Sequence, residues 1–520
     1  MAILQIFLSA VLLNFSFPKV DLNALAFVAF VPLLFALDNV SAARAFRRAY
    51  LAGFLFFGTT LWWFIYVSNQ LGQGGLWIGG FGVICLFAYL AVYFGFFGLW
   101  VYFLRNQNVL KKVFFLPAGW VVLEFARAHF LSGFGWVSLG HSQYKNLLLI
   151  QIADVTGAGG VSFVVMMVNV LVKENAVCFL GKRSGACEKI FQANIVATLI
   201  LFSVLGYGFI RLGTSFGDQF VRIAVIQPNI PQALKWDASR TEEIVRVTLD
   251  LSEAALKERP ELIIWPETSL PGIKEENPVV LDLIKSFVRR TRVPLLFGTI
   301  SSQGGSYANA AILIGSDGQE TTQYDKMHLV PFGEYVPLAK QFPVLRDLVP
   351  MEDFTRGKNF SLFPITGTTI HAGQLASRFS VLICFEDTMA YLGREFTRRG
   401  AEFLVNITND AWFEDTRAPY LHVTAALFRA VENRRSLIRS ANTGLSCLIS
   451  PHGRIVRSVE NADGKKAFVQ GIFIADTRVG QGISIYTKLG DFFTGACLLC
   501  ILCTVFNIQT QPKIRKTFRV

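Results

Sequence analysis

Seven apolar stretches, divided by short polar breaks, occupy the first 212 residues, at approximately 2–17, 22–37, 50–68, 76–104, 113–131, 147–172 and 191–212. An eighth follows at 489–508. A bilayer core about 30 Å thick is crossed by roughly 20 apolar residues in helix. The pattern therefore predicts a multi-pass α-helical membrane domain over residues 1–212, with an eighth span and a basic tail over 488–520. A mean hydropathy of +0.44 and 52% hydrophobic residues agree, being high for a water-soluble chain. The first stretch lacks a basic leading region and a small-residue cleavage site, so it is expected to be a retained helix rather than a signal peptide.

A net charge of +12 could indicate a nucleic-acid partner, but its distribution argues otherwise. Residues 213–486 hold 30 Lys and Arg against 30 Asp and Glu, so the excess lies outside that segment. With the stretches alternating across a bilayer, one set of loops carries Arg44, Arg47, Arg48, Arg105, Lys111, Lys112, Lys173, Lys182, Arg183 and Lys189, with the tail residues Lys513, Arg515, Lys516 and Arg519. The opposite short loops carry only Lys19 and Lys145. Basic loops face the cytoplasm. Both termini are thus expected inside and residues 213–487 outside, in the periplasm beyond a bacterial inner membrane.

Residues 213–487 have a different texture. Short apolar runs at Ile223 to Ile226, Leu262 to Trp265, Pro294 to Ile300, Val381 to Cys384 and Phe403 to Ile407 read as buried strands. Helical patterns, such as Thr241 to Lys257 after a Ser239 cap and Val279 to Arg290, lie between them. The expectation is an α/β module with a helix-covered sheet. The Pro-rich stretch Val336 to Phe363, with Pro337, Pro343 and Pro350, reads as a long irregular insertion, a mobile lid or membrane-dipping loop or equally a packed Ω-loop.

Eight Cys are scattered without metal spacing, so neither a zinc site nor a disulfide framework is expected. Cys85, Cys178, Cys187, Cys497, Cys500 and Cys503 lie in or beside apolar segments and are expected to pack there. Only Cys384 and Cys447 fall in the balanced segment, and both are expected to be free thiols.

Three passages put a reactive side chain just after a strand-like run, where the carboxyl edge of an α/β sheet exposes it. They are Trp265-Pro266-Glu267-Thr268, Tyr324 to Glu334 with Lys326, and Ile383-Cys384-Phe385-Glu386-Asp387. A Cys nucleophile needs a base or cation to populate its thiolate near neutrality; Glu267 is the candidate base. An oxyanion formed after attack needs fixed donors; Lys326 and the Phe385 N–H are the candidates.

In this order and spacing the three passages resemble the Glu-Lys-Cys constellation of the nitrilase superfamily. With the membrane stretches, the whole chain resembles its membrane-embedded branch, the apolipoprotein N-acyltransferases. Trp120, Glu124, Arg127, Gly133-Phe134-Gly135-Trp136, Gln143 and Gln151 to Gly157 extend the likeness into the membrane part. The resemblance implies an α-β-β-α sandwich and a catalytic set of Glu267, Lys326 and Cys384. It also implies support from Glu334, Glu386 and Phe385, and ping-pong transfer through a Cys384 thioester. The implied donor is the sn-1 acyl chain of a phospholipid such as phosphatidylethanolamine; the acceptor is the α-amine of a diacylglyceryl-cysteine apolipoprotein. Metal, organic cofactor and nucleic acid are not expected.

Trp236, Asn309, Tyr324, Trp412 and Gln143 are the expected substrate contacts. Glu334 and Glu386 could equally form a buried salt-bridge network, and Glu124 and Arg127, one turn apart in an apolar helix, are expected to pair with each other. Phe385, Gly135 and Glu414 depart from the family's usual Tyr, Pro and Gly. The rival functions are a membrane-tethered amidase hydrolysing small amides, and a transporter or scaffold with an inactive nitrilase-like domain.

Overall fold

The computed structural model describes residues 1–71, 75–181, 187–216, 219–343, 346, 353–365, 377–480 and 482–509. Lys182, Arg183, Pro350 and the tail residues Lys513, Arg515, Lys516 and Arg519 lie outside the described residues. The chain divides into two compact units. One comprises Met1–Trp62, Val83–Gly213 and Leu489–Val520; the other comprises Trp63–Gly82 and Thr214–Lys488.

The first unit is helical. Among the described residues of the chain, Gly79–Phe103, Ala158–Phe179 and Lys189–Leu212 are long and apolar enough to cross a membrane, and the broken pair Ala42–Thr60 and Phe64–Gln70, whose second helix is counted with the other unit, adds a fourth if it is one span. Shorter apolar helices are Ala2–Phe15, Asn23–Ala36, Leu147–Thr156 and Phe492–Phe506. The expected stretch 50–68 is interrupted at the bend between Ala42–Thr60 and Phe64–Gln70, and two others are interrupted as well. Residues 22–37 form a 3-10 turn, Asn23–Phe27, and a short helix, Val31–Ala36. The stretch 147–172 breaks at Gly157, whose φ of 67° favours glycine, before the helix Ala158–Phe179.

The first break is satisfied from within the fold. Asn169, fully buried in the helix Ala158–Phe179, accepts from the Phe30 N–H at 2.8 Å and donates to the Ala26 carbonyl at 2.8 Å. Without such a partner each bare peptide group costs several kcal/mol in apolar surroundings. Trp120 sits among Phe30, Phe94 and Phe97, with ring centroids 4.8, 4.9 and 5.1 Å away.

Glu124 and Arg127 attract each other electrostatically, as expected, but their hydrogen bonds go elsewhere. Arg127 instead donates to the Trp136 carbonyl at 2.7 Å and to Ser138 Oγ at 3.2 Å, and Glu124 accepts from the Leu139 N–H at 2.6 Å. Both side chains fix the loop after their helix, since its bare peptide groups compete for the same charges. Cys178, expected to be a packing residue, is disulfide-bonded.

The second unit is built from two six-stranded sheets. The strands are β1 (Phe220–Gln227), β2 (Leu262–Ile264), β3 (Leu295–Gln303), β4 (Ser306–Ile314), β5 (Glu320–Asp325), β6 (Phe363–Ile365), β7 (Ser377–Ile383), β8 (Phe403–Thr408), β9 (Leu437–Ala441), β10 (Cys447–Ile449), β11 (Ile455–Ser458) and β12 (Gly471–Arg478). One sheet has the order β12-β1-β2-β3-β4-β5 and the other β11-β10-β9-β8-β7-β6. Among the described residues, parallel strand pairs join β1-β2-β3 and β7-β8-β9. Burial on both faces accounts for the apolar runs within β1, β2, β7 and β8.

The helices Thr241–Ala255 and Pro278–Thr291 cover the first sheet, and Ala390–Arg398 and Ala418–Asn433 the second, while β1 touches β9 and β4 touches β7. This is the α-β-β-α sandwich of the nitrilase fold. Trp265, Ile284, Phe287, Leu295, Phe297 and Ile312 build the core beneath the first layer of helices. The expected Ser239 cap is absent: Asp237 caps a 3-10 turn there by accepting from the Ser239 N–H at 3.0 Å. Of the insertion, residues 344–345 and 347–352 lie outside the described residues. Its later part packs onto the end of β5, where the Gly357 N–H donates to the Lys326 carbonyl at 2.9 Å.

Candidate active site

Each of the three expected reactive residues follows a strand of the second unit. Glu267 lies in the loop after β2, Lys326 directly after β5 and Cys384 directly after β7. Glu267 and Lys326 belong to one sheet and Cys384 to the other, so the face-to-face packing of the sheets brings them together. Lys326 Nζ is 2.8 Å from Glu334 Oε1 and 3.7 Å from Glu267 Oε1, and only 1% of Lys326 is exposed.

Glu267 is fixed at both oxygens. Asn309 Nδ2 donates to Oε1 at 2.8 Å, and the Asn409 N–H donates to Oε2 at 2.9 Å. The same Asn309 amide donates to Glu334 Oε1 at 2.8 Å, and the Val330 N–H holds Glu334 Oε2 at 2.8 Å. Thr268, next in the chain, has φ 46°. A non-glycine residue there stores strain and persists only when its surroundings over-determine it.

Gly298 on β3 is one such constraint, because a Cβ there would sit 2.6 Å from the Thr268 nitrogen and 2.7 Å from Glu267 Cα. Gly298→Ala is expected to displace Glu267 and cut turnover by about 10²-fold, the usual cost of misplacing a reacting group by an ångström. Full turnover of a folded Gly298→Ala protein in a steady-state assay would contradict this.

Cys384 adopts φ 52°, a sharp turn that ends β7 and opens the 3-10 helix Cys384–Thr388. Its carbonyl accepts from Asn406 Nδ2 at 3.0 Å. Burial, followed by the Glu267 charge, pushes the thiol well above its ordinary pKa, while Lys326 and the Thr408 hydroxyl oppose them. Burial alone would lower Lys326, but Glu334, Glu267 and Cys384 outweigh it and hold the ammonium above the usual lysine range. The nucleophile candidate is thus protonated at rest, beside a permanent cation and a fixed carboxylate. The Phe385 N–H belongs to the first turn of the 3-10 helix, where backbone donors are left unused.

Glu386 joins the Cys384 turn to the Lys326 segment. It accepts from the Tyr324 hydroxyl at 2.9 Å and from the Met327, His328 and Ile383 N–H groups at 2.8, 2.9 and 2.8 Å. Burial pushes its carboxyl up to about 7, against the pull of those donors and of Lys326. Glu386 therefore acts as a framework group, and Glu334 as the ion-pair partner of Lys326.

The expected substrate contacts separate into two groups. Trp236 is 47% exposed, and Trp412 is half-buried in the 3-10 turn Asp410–Phe413. Tyr324 and Gln143 are 1% and 0% exposed, and Gln143 Oε1 is buried with no hydrogen-bond partner among the described residues. The Tyr324 hydroxyl serves Glu386, and Gln143, in the helical unit, donates to the Asn23 carbonyl at 2.8 Å. Asn309, 3% exposed, orients the two carboxylates. Cys384 and Cys447 are both free thiols, as expected. Among the described residues no cluster of His, Cys, Asp and Glu could hold a metal ion.

Sequence reading passed over three features. Asn409 lies three residues before Trp412, and its backbone N–H binds Glu267. Lys235 precedes Trp236 and donates to the Glu267 carbonyl at 2.8 Å. Behind the Cys384 turn, Arg439 bridges Asp387 at 2.8 Å and Asp410 at 2.9 Å, and His422 touches the same two carboxylates at 2.9 and 3.0 Å. The signal for this last network was a charged residue inside the apolar strand β9.

Residues 9–171 match the family described as apolipoprotein N-acyltransferase N-terminal domain, and residues 222–478 match carbon-nitrogen hydrolase. The apolipoprotein N-acyltransferase of Geobacter metallireducens is 35% identical over 94% of this chain and 92% of its own. That of Chlorobaculum tepidum is 30% identical over 94% and 93%, and that of Allorhizobium ampelinum 33% identical over 86% and 85%. With membrane part and sandwich matched in one alignment, the chain belongs to the apolipoprotein N-acyltransferase family.

Proposed function

We propose that this protein N-acylates lipoproteins by ping-pong transfer through a Cys384 thioester, with Glu267 as general base and Lys326 as oxyanion donor. The observation that carries the reading is the Cys384 thiol in a strained turn under the joint influence of Glu267 and Lys326. The names of the full-length relatives support the acyl-transfer class and favour it over hydrolysis of small amides.

In the first half-reaction the thiol proton passes to Glu267 as sulfur attacks an ester carbonyl of the phospholipid. Lys326 Nζ and the Phe385 N–H stabilise the developing oxyanion. On collapse the C–O bond breaks, and Glu267 returns the proton to the departing lysophospholipid oxygen. In the second half-reaction the α-amine of the diacylglyceryl-cysteine attacks the thioester, Glu267 takes the amine proton, and as the C–S bond breaks Glu267 passes that proton to the departing sulfur, regenerating the thiol and the carboxylate. Atoms and charge balance without a cofactor.

The proposed donor is the sn-1 chain of phosphatidylethanolamine. Residues 1–212 and 488–520 form the membrane part of a bacterial inner-membrane protein, and residues 213–487 face the periplasm. Trp236 and Trp412 are the proposed substrate contacts, being the accessible aromatics among the residues singled out.

Incubating the purified protein with acyl-labelled phosphatidylethanolamine is expected to give a hydroxylamine-sensitive adduct that Cys384→Ala lacks. An equally strong adduct on Cys384→Ala would overturn the mechanism. Release of ammonia from small amides without phospholipid turnover would establish the amidase instead.

A further inference from the structure

The site contains a second buried lysine whose surroundings are opposite to those of Lys326. Lys235 ends the short helix Gln232–Lys235 and is 2% exposed. Its Nζ donates to the Glu267 backbone carbonyl at 2.8 Å, and among the described residues it has no carboxylate within ion-pairing distance. A buried ammonium without a counter-ion is costly and tends to lose its proton. Lys326, by contrast, is neutralised by Glu334 and Glu267 and stays charged at every relevant pH.

The charges that act on Lys235 are those of the reaction. Burial lowers its pKa to about 7, and the opposing pull comes from Glu267, on the loop after β2, and Cys384, on the turn after β7. A lysine placed in this way takes up a proton when a thiolate or carboxylate appears beside it and gives it up when that charge is quenched. It also holds the carbonyl of a residue whose neighbour, Thr268, sits in a strained conformation.

Building on the Glu-Lys-Cys reading, we propose that Lys235 is a positioning residue of the reaction, clamping the Glu267 backbone and supplying a titratable second positive charge that favours the Cys384 thiolate. Lys326 is then the permanent cation of the site and Lys235 the adjustable one. The Gln232–Trp236 segment reaches Glu267 by a second route, because Gln232 Oε1 accepts from Asn409 Nδ2 at 2.8 Å while the Asn409 N–H holds Glu267. Through Lys235 and Asn409, this segment supports Glu267 at its carbonyl and at its carboxylate.

The test is the rate of Cys384 alkylation by iodoacetamide, followed on the Cys384 peptide by mass spectrometry from about pH 6 to 11, a range spanning the ordinary thiol and lysine pKa values of about 8.5 and 10.4. It uses the detergent-solubilised full chain as wild type, Lys235→Met and Lys235→Arg. Lys235→Met is expected to move the midpoint upward by about one pH unit and to slow alkylation about tenfold at neutral pH. In a folded Lys235→Arg protein, whose guanidinium stays charged throughout the range, the midpoint is expected at or below the wild-type value. Should Lys235→Met lose its cooperative thermal transition, Lys235→Gln replaces it, since it retains a donor for the Glu267 carbonyl and removes only the charge.

A folded Met or Gln variant whose profile superimposes on the wild type overturns the proposal. So does a uniform loss of rate with an unmoved midpoint, which is what a purely structural lysine would give. Failure of the parent reading has a different signature: Cys384 of the wild type would alkylate like an ordinary thiol, unaffected by Glu267→Gln.

Discussion

Lys326→Met is expected to abolish thioester formation, by about 10³-fold or more, because one substitution removes two contributions. Loss of a single oxyanion donor costs about 10²–10³ in rate. Here the same ammonium also neutralises Glu334 at 2.8 Å and Glu267 at 3.7 Å. Without it two buried carboxylates share one Asn309 amide, and Glu267 has lost the cation that opposes its repulsion from a thiolate. Lys326→Arg is expected to fail as well, since a planar guanidinium is a poor replacement for a compact ammonium at a site 1% exposed. Single-turnover labelling with acyl-labelled phospholipid measures both. A Lys326→Met protein that acylates Cys384 within tenfold of the wild type would remove Lys326 from the mechanism.

The second large effect falls on stability. Arg439 is fully buried in β9, and its guanidinium bridges Asp387, three residues beyond Cys384, to Asp410, one residue beyond Asn409. Removing one partner of a buried ion pair costs about 3–5 kcal/mol, because the stranded charge stays desolvated. Arg439→Met strands two carboxylates, and thermal unfolding in detergent is expected to fall accordingly. The double variant with Asp410→Asn is expected to regain part of the loss. Equal thermal stability of wild type and Arg439→Met would show that the network contributes nothing.

The pH dependence of that loss follows from Asp410. Burial pushes its carboxyl up, but Arg439 and His422 outweigh burial and hold it below the ordinary range. A depressed folded-state pKa gives stability that is complete above the unfolded value, about 3.9, and is lost as pH falls through the lower folded one. The gap between wild type and Arg439→Met should therefore be widest at neutral pH and shrink in acid.

Much of this architecture could be read from local pattern. The expected strands at Ile223 to Ile226, Pro294 to Ile300, Val381 to Cys384 and Phe403 to Ile407 lie within β1, β3, β7 and β8 apart from their end residues. Parallel strands buried on both faces must be continuously apolar, and that is a one-dimensional signal. The helices expected at Thr241 to Lys257 and Val279 to Arg290 shifted only at their ends, where capping rather than periodicity decides. Stretches of apolar residues long enough for a bilayer are equally local, as are the order and residue types of Glu267, Lys326 and Cys384.

What escaped the sequence was pairing. Glu124 and Arg127 are neighbours on one helix, and local spacing predicted a bond between them. The peptide groups of Trp136 and Leu139 took both side chains instead. The fold directs the Tyr324 hydroxyl to Glu386 and the Gln143 amide nitrogen to the Asn23 carbonyl, partners that spacing along the chain does not reveal. Lys235 meets Glu267 across 32 residues, Asn409 meets it across 142, and Arg439 meets Asp387 across 52. By itself the sequence determined which segments are apolar, which are strands, and which reactive side chains follow them. Only the tertiary structure decided which buried charge neutralises which, because desolvation and Coulomb energy depend on separations in space that no periodicity along the chain encodes.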